Sequence, residues 1–597
     1  MNIVDIRRPV PIYGLNTDDA IVPPDAPYAR NMLNMVINND VVETRKGFTK
    51  LGDDSVVMQG IAMDLVRYVD AKGVFHLIAL TTTNAYRFVP TTSSTEGTDY
   101  WECITPVDAE DVVVPFTGDE HNLWTYTTAT DLKIFENNGG TALLLSNSVD
   151  GVFMFEGASE EKLSKFSYNV DETTKNLPNC KCMEEFYNHL FLINVESTGF
   201  DTRTIKHSGA GDLAAWDGTG SSGNYVLTDT KGKLLKAIRL SNNLIFYSDY
   251  SIAVCSFYGG AVPFIVQVPI YETGLLSKNA LFSSNNFHIF LSKDQHIYVY
   301  TGGTQLQRIA DKITRYVFST LDVSNKDYIC TGDLFNMHKA MFVLPVSGDR
   351  QEIMVLNYDR QELSWEHYLY SGVYVKGISS VVNELDWYVD RPPFYYGVDD
   401  DRNKTCDDVE IGCDVSEGQK DYEVACFISK AKDGSNDIAK VYSLNSLSYT
   451  DDGLYYMSRL DTREFSVDDY NTDAKFLSVS FTARSDTAYS MQFNFIQVSY
   501  EIHNTSQTGN RAGVKTRNNV IAQGILNVND SILQASHGGY IKLAFDWNTY
   551  TCSIPAYDNV AATGTSISFR ILTLAGVHVA FKGNFKVKAA VQTERLS

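Results

Sequence analysis

The chain has 597 residues, 44% of them hydrophobic and 12% aromatic, with 50 basic against 73 acidic side chains and a formal net charge of −23. That length exceeds one ordinary core and calls for roughly two to four domains, and the apolar content excludes wholesale disorder. The charge excludes a protein that grips nucleic acid from outside, since phosphate neutralisation demands a basic footprint. It leaves open an acidic wall along which DNA slides without adhering.

Residues 1–50 read as an N-terminal arm. Pro9, Pro11, Pro23, Pro24 and Pro27 hold much of it extended, because proline removes a donor and turns its predecessor away from helix. A short helical patch is predicted over 28–35, followed by a strand over 41–48. The arm either wraps its own chain or reaches a neighbouring subunit. Arg7, Arg8, Arg30, Arg45 and Lys46 make it basic in an otherwise acidic protein, which suits docking onto an acidic partner surface.

Residues 51–390 repeat one pattern with drift: a short apolar run, a polar turn, and a second run ending in aromatics. It occurs at 73–80 with 85–88, 122–126 with 131–135, 141–145 with 151–155, 243–247 with 252–257, 286–291 with 296–300, and 339–345 with 352–358. Degenerate repeats of paired strands predict an irregular β-propeller, with five to seven blades by this count. The stretch 205–216 reads as a blade-edge strand followed by a capped turn that buries Trp216.

Residues 391–455 form an acidic linker or insertion. Asp399, Asp400, Asp401, Asp407, Asp408 and Glu410 either form a solvated loop, offer oxygen ligands to a cation, or line a channel and repel DNA. The run lacks the alternating Asp pattern with a central Gly of an EF-hand. From 456 to 597 strands return with even spacing, at 476–481, 491–496, 540–545, 567–571 and 585–589, and predict an antiparallel sandwich-like region. The fold class expected is therefore all-β.

Reactive motifs are sparse. The chain contains no Gly-x-Ser-x-Gly elbow, P-loop or dinucleotide-binding glycine pattern. Cys180-Lys181-Cys182 has no second pair at zinc-site spacing, and Cys406 and Cys413 stand in the acidic stretch. His288 and His296 are placed to face each other across a hairpin. No catalytic residue, metal or cofactor is assigned. No run approaches the roughly 18 apolar residues of a membrane helix, and the opening lacks a signal-peptide pattern, which predicts synthesis in a cytoplasm with reduced thiols.

Several segments resemble phage tail nozzle or tail hub proteins of short-tailed phages. They are Gly14-Leu15-Asn16-Thr17, the Asn-rich stretch from Asn31 to Asn34, Val42-Glu43-Thr44-Arg45-Lys46-Gly47-Phe48, and Ser208-Gly209-Ala210-Gly211-Asp212 leading to Trp216. Late matches are Arg459-Leu460-Asp461-Thr462-Arg463-Glu464-Phe465 and Gly564-Thr565-Ser566-Ile567-Ser568-Phe569-Arg570. The resemblance implies a virion structural protein forming a homo-oligomeric ring, usually a hexamer, below the portal and adaptor proteins. DNA would leave through the ring's channel, and tail fibres or tailspikes would dock outside. A carbohydrate-binding or glycan-hydrolysing propeller at the host surface is the alternative, marked by aromatic residues around one mouth.

Overall fold

A computed structural model describes the chain from 2 to 383 with short interruptions, the longest at 18–25, 91–98, 118–124 and 130–141. Beyond 383 it describes 422–431, 438–444, 449–467, 474–484, 496–503, 520–526, 548–553, 563–573 and 578–591. The repeat members 122–124 and 131–135, the predicted strand at 540–545, most of that at 491–496, and the acidic residues Asp399, Asp400, Asp401, Asp407, Asp408 and Glu410 lie outside the described residues.

The apolar bursts are strands buried on both faces. In Ala142–Ser146 every residue is buried. Leu143 and Leu145 pack with Val66, Ile78 and Leu80, whereas Ala142 and Leu144 turn to Met183, Leu190 and Leu192 on the other side. A strand sandwiched between two sheets needs apolar residues at both parities, so it reads as a continuous run. Such strands belong to stacked sheets.

The described residues form seven stacked antiparallel sheets in chain order. They run from Ala62–Val69 to Tyr100–Cys103, from Thr125–Ala129 to Ser164–Lys165, from Cys182–Phe186 to Gly223–Val226, and from Leu234–Leu240 to Phe264–Tyr271. The fifth runs from Leu281–Ser283 to Gln307–Ile309, and the sixth from Cys330–Leu334 to Ser364–Tyr368. The seventh combines Val373–Asn383, Tyr422–Ala431 and Ile438–Ser443 with an outer strand from the N-terminal region, Thr49–Lys50. Separate apolar cores join the sheets in sequence. The last of these cores packs Cys426, Ile428 and Val441 of the seventh sheet against Leu65, Leu77 and Ala79 of the first. The circle is closed, and the molecule is a seven-bladed propeller among the described residues.

The stretch Ile438–Ser443, expected in the acidic linker, is thus propeller; Tyr422–Ala431 is the second strand of the same blade. Ala425 and Phe427 face the sixth blade, and Cys426 and Ile428 face the first. The strand Thr204–His207 is third of four rather than an edge, with Gly223–Val226 outside it. Trp216 is buried as expected, its indole N–H donating to the carbonyl of Leu213.

The C-terminal region is a two-layer sandwich that incorporates the arm. One sheet contains Asn2–Pro9, Met35–Asn38, Val41–Thr44, Ala474–Arg484, Asn548–Ser553 and Ala580–Val591. Asn2–Pro9 runs antiparallel to Ala580–Val591 with Asn2 opposite Val591 and Pro9 opposite Asn584. The facing sheet contains Asn31–Leu33, Ser458–Asp461, Ile496–His503, Val520–Leu526 and Ser566–Thr573. Between them lie Met32, Met35, Val42, Phe476, Phe481, Ile567, Phe569 and Phe581.

The predicted helical patch at 28–35 is two strands. Met32 and Met35, three apart, imitate a helical stripe, but Asn34 takes a left-handed φ of 55° and throws the chain from one sheet into the other. The facing sheet is also continuous with the propeller. Leu33 pairs in parallel with His367 of the sixth blade, giving one ten-stranded sheet across both regions.

Candidate functional site

The first strands of the blades surround an axial cavity of about 180 Å³, room for roughly six waters. Asp64, Glu184, Lys236, Lys278 and Lys376 project from different blades or their connections to line it, alongside Cys182, Cys330 and Thr331. Lys376 is buried, and Asp64, Glu184, Lys236 and Lys278 are half-buried. Burial raises the Asp64 carboxyl to about 6, opposed by the Leu65 N–H and by Lys278 and Lys236. Burial raises Glu184 to about 8, opposed mainly by Lys236, and pushes Lys236 and Lys278 down. Lys376 stands 3.8 Å from the centroid of the Tyr328 ring. The arrangement is a mixed-charge plug. A cavity of this size has no room for a DNA duplex.

Of the five basic residues expected at a docking surface, Arg7, Arg30 and Lys46 are exposed. Arg8 and Arg45 are not: both are buried inside their own chain. Arg8 lies in the sandwich with its guanidinium carbon 5.5 Å from the Phe465 ring centroid. Arg45 spends all five of its N–H groups on internal acceptors. Nε donates to Asn34 Oδ1 at 3.0 Å, the terminal nitrogens donate to Asp451 Oδ1 and Oδ2 at 2.8 and 2.7 Å, and the remaining two reach the carbonyls of Lys46 and Leu369. The ion pair is 2% and 0% exposed, and the Tyr456 ring centroid lies 3.9 Å from the guanidinium carbon.

This clasp ties the sandwich hairpin, the end of the sixth blade and the segment after the seventh. A second buried pair acts nearby. Lys339 Nζ lies 2.7 Å from Glu366 Oε1, which also accepts from the Ile37 N–H at 2.8 Å. Together with the shared sheet they make propeller and sandwich one body.

Where the two regions meet, a pocket of about 410 Å³ opens. Its walls come from Leu15 and Thr17, from Tyr316 on the helix Asp311–Thr320, from His367 of the sixth blade, and from Arg30, Arg459, Asp461, Phe569 and Arg570 of the sandwich side. Asp461 Oδ1 accepts from Arg459 Nε at 2.8 Å and from Arg570 Nε at 3.2 Å. His367 is 7% exposed; its Nε2 makes no hydrogen bond and stands 3.7 Å from Glu352 Oε2. Of these residues only Arg30 is singled out by composition. The alternation of Arg459 and Asp461 on one face of the strand Ser458–Asp461 is the signal that could have found those two.

His288 sits opposite Tyr300 in its hairpin, not opposite His296. Its Nδ1 lies 2.8 Å from the Tyr247 hydroxyl and its Nε2 3.1 Å from the Arg239 carbonyl, a satisfied core histidine. Burial pushes the Cys180 and Cys255 thiols up to about 12, which keeps them protonated and unreactive. Among the described residues no group of three His, Cys, Asp or Glu side chains is placed to hold a metal ion.

No family model matches the chain, and no curated protein matches it. Among solved structures, the chain is similar to the N224Q mutant of Aleuria aurantia lectin in complex with alpha-methyl-L-fucoside. That match has a TM-score of 0.26 and 9% identity, and covers 52% of this chain and 96% of the lectin.

Proposed function

We propose that the chain is a virion structural protein that forms the nozzle or hub ring of a short-tailed phage tail, through which DNA passes and on which other tail proteins dock. The observation that carries this reading is the ten-stranded sheet running from the sixth blade into the sandwich. It makes two domains into one unhinged body, as a wall under internal pressure requires. The net charge of −23 favours a lumen to which DNA does not adhere, and the charged side chains crowding the propeller axis favour a lumen between copies over one through a single propeller. A homo-oligomer, probed with portal and adaptor proteins present, is the expected assembly.

Negative-stain electron microscopy with solution mass tests it. A ring with an axial hole wide enough for duplex DNA is the expected result. A monomer that persists with portal and adaptor partners overturns it.

A carbohydrate-binding role at the host surface has one observation in its favour. Tyr187 and Phe257 stack at 4.5 Å with an interplanar angle of 15°, and they are 39% and 40% exposed beside Tyr258 at 69%. Tyr187 lies in a turn of the third blade and Phe257 at the end of a strand of the fourth. Binding to a glycan array that is lost on Tyr258→Ala would favour this reading.

A further inference from the structure

We infer that the pocket between propeller and sandwich is a binding site for a small oxyanionic ligand, held by Arg30, Arg459 and Arg570. Its volume of about 410 Å³ falls within the span of small-molecule sites. Its charge runs against that of the molecule. Three guanidinium groups and one carboxylate, Asp461, line it in a chain of net −23. Planar guanidinium forks match carboxylate and phosphate oxygens and do so better than ammonium groups.

The site is also built rather than incidental. Asp461 holds Arg459 by its Nε and a terminal nitrogen and Arg570 by its Nε, which ties both guanidinium groups to one carboxylate. His367, a buried wall residue, has an Nε2 that makes no hydrogen bond and stands 3.7 Å from Glu352 Oε2. Tyr316 adds an aromatic wall, its hydroxyl donating to Glu352 at 2.9 Å behind the pocket. The walls come from a helix, a blade strand and two sandwich strands, which are rigid supports. Arg30 and Arg570 are exposed, and Arg459 is half-buried.

Isothermal titration calorimetry with pyrophosphate and, separately, citrate tests the inference on the intact protein, at an ionic strength fixed with chloride. The expected result is saturable binding of one anion per chain, weakened about tenfold by Arg30→Ala and by Arg570→Ala, the size of one lost charge-assisted contact. Arg239→Ala, on the fourth blade, should bind like wild type. Pyrophosphate binding alone points to phosphate esters, citrate binding alone to carboxylates, and either supports the site.

Three results overturn it: no binding of either anion, full affinity in the Arg30→Ala protein, or binding that emerges only in Asp18→Asn/Asp19→Asn. Those two carboxylates follow Thr17 in the sequence, and the last outcome would assign the pocket to the chain's own acids. Arg30→Ala alters an exposed side chain, so its folding can be checked by circular dichroism and its result stands if Arg570→Ala fails to fold.

Discussion

Asp451→Asn should open the joint between propeller and sandwich while leaving most blades intact. The carboxylate accepts two hydrogen bonds from Arg45 and one from the Ser371 N–H at 2.8 Å. An amide in its place accepts with one oxygen and presents N–H groups to the other donors. It leaves a guanidinium buried without a counter-charge. Breaking a buried pair from one side costs about 3–5 kcal/mol, which is roughly two to three and a half orders of magnitude in a local opening equilibrium.

Peptide-level hydrogen–deuterium exchange reads this directly at the amides of Arg45, Leu369 and Ser371, which bond to Asn34 O, Asn34 Oδ1 and Asp451. Exchange there should accelerate by about that factor, with the second to fourth blades unchanged. The double replacement Arg45→Met with Asp451→Leu should restore much of the protection, because it removes both desolvation costs. Arg45→Lys should fall between, having three donors for five acceptor contacts. Acceleration below about tenfold in Asp451→Asn would refute the view that this pair holds the joint.

Glu184, raised to about 8 from 4.5 by burial at the axis, binds its proton more tightly in the folded state than in the unfolded one. Its contribution is therefore present at acid pH and is lost as the pH rises to about 8. Glu184→Gln should flatten the fall in melting temperature across this window, and an unchanged slope would contradict it. His288 has the opposite sign. Burial lowers it to about 4, so below about 6.5 the unfolded chain takes up the proton first and stability falls towards 4. His288→Gln should remove part of that acid loss in pH-dependent thermal melts. At the meeting of first and seventh blades, a Cβ on Gly377 would lie 2.6 Å from Asp64 Oδ1 and 2.6 Å from the Leu65 nitrogen. Gly377→Ala should cost about 1–3 kcal/mol; an unchanged melting temperature would show that the ring closes more loosely than its geometry implies.

The blades were readable where a strand is buried on both faces. The runs at 75–80, 142–145 and 243–247 have no other use in a chain this polar, and their spacing carried the propeller. What failed was whatever depends on distant partners. Nothing local in Thr49–Lys50 announces that it completes a blade whose other strands lie near 440. The acidic stretch hid Tyr422–Ala431 and Ile438–Ser443 because composition averaged over the whole interval masks two strands at its end. Arg45 read as a surface charge, since its compensation by Asp451 lies 406 positions away. Asn34 decided the 28–38 region through one backbone angle that a three-residue apolar spacing cannot reveal. The pocket arginines were visible as residues but not as neighbours, since Arg459 and Arg570 meet only through the pairing of Ser458–Asp461 with Ser566–Thr573.

Pairing Asn2–Pro9 with Ala580–Val591 also sets a clock. A ribosome adding 5–20 residues per second needs roughly half a minute to two minutes to cross the roughly 580 residues between them. For that interval the early strand has no mate and its backbone groups stay open to any other chain nearby. The propeller waits too, since Thr49–Lys50 is made long before the Tyr442–Ser443 it must meet. Closure of both regions therefore waits for the last strands, and the state in which the first fifty residues are held until then becomes part of how the fold is reached.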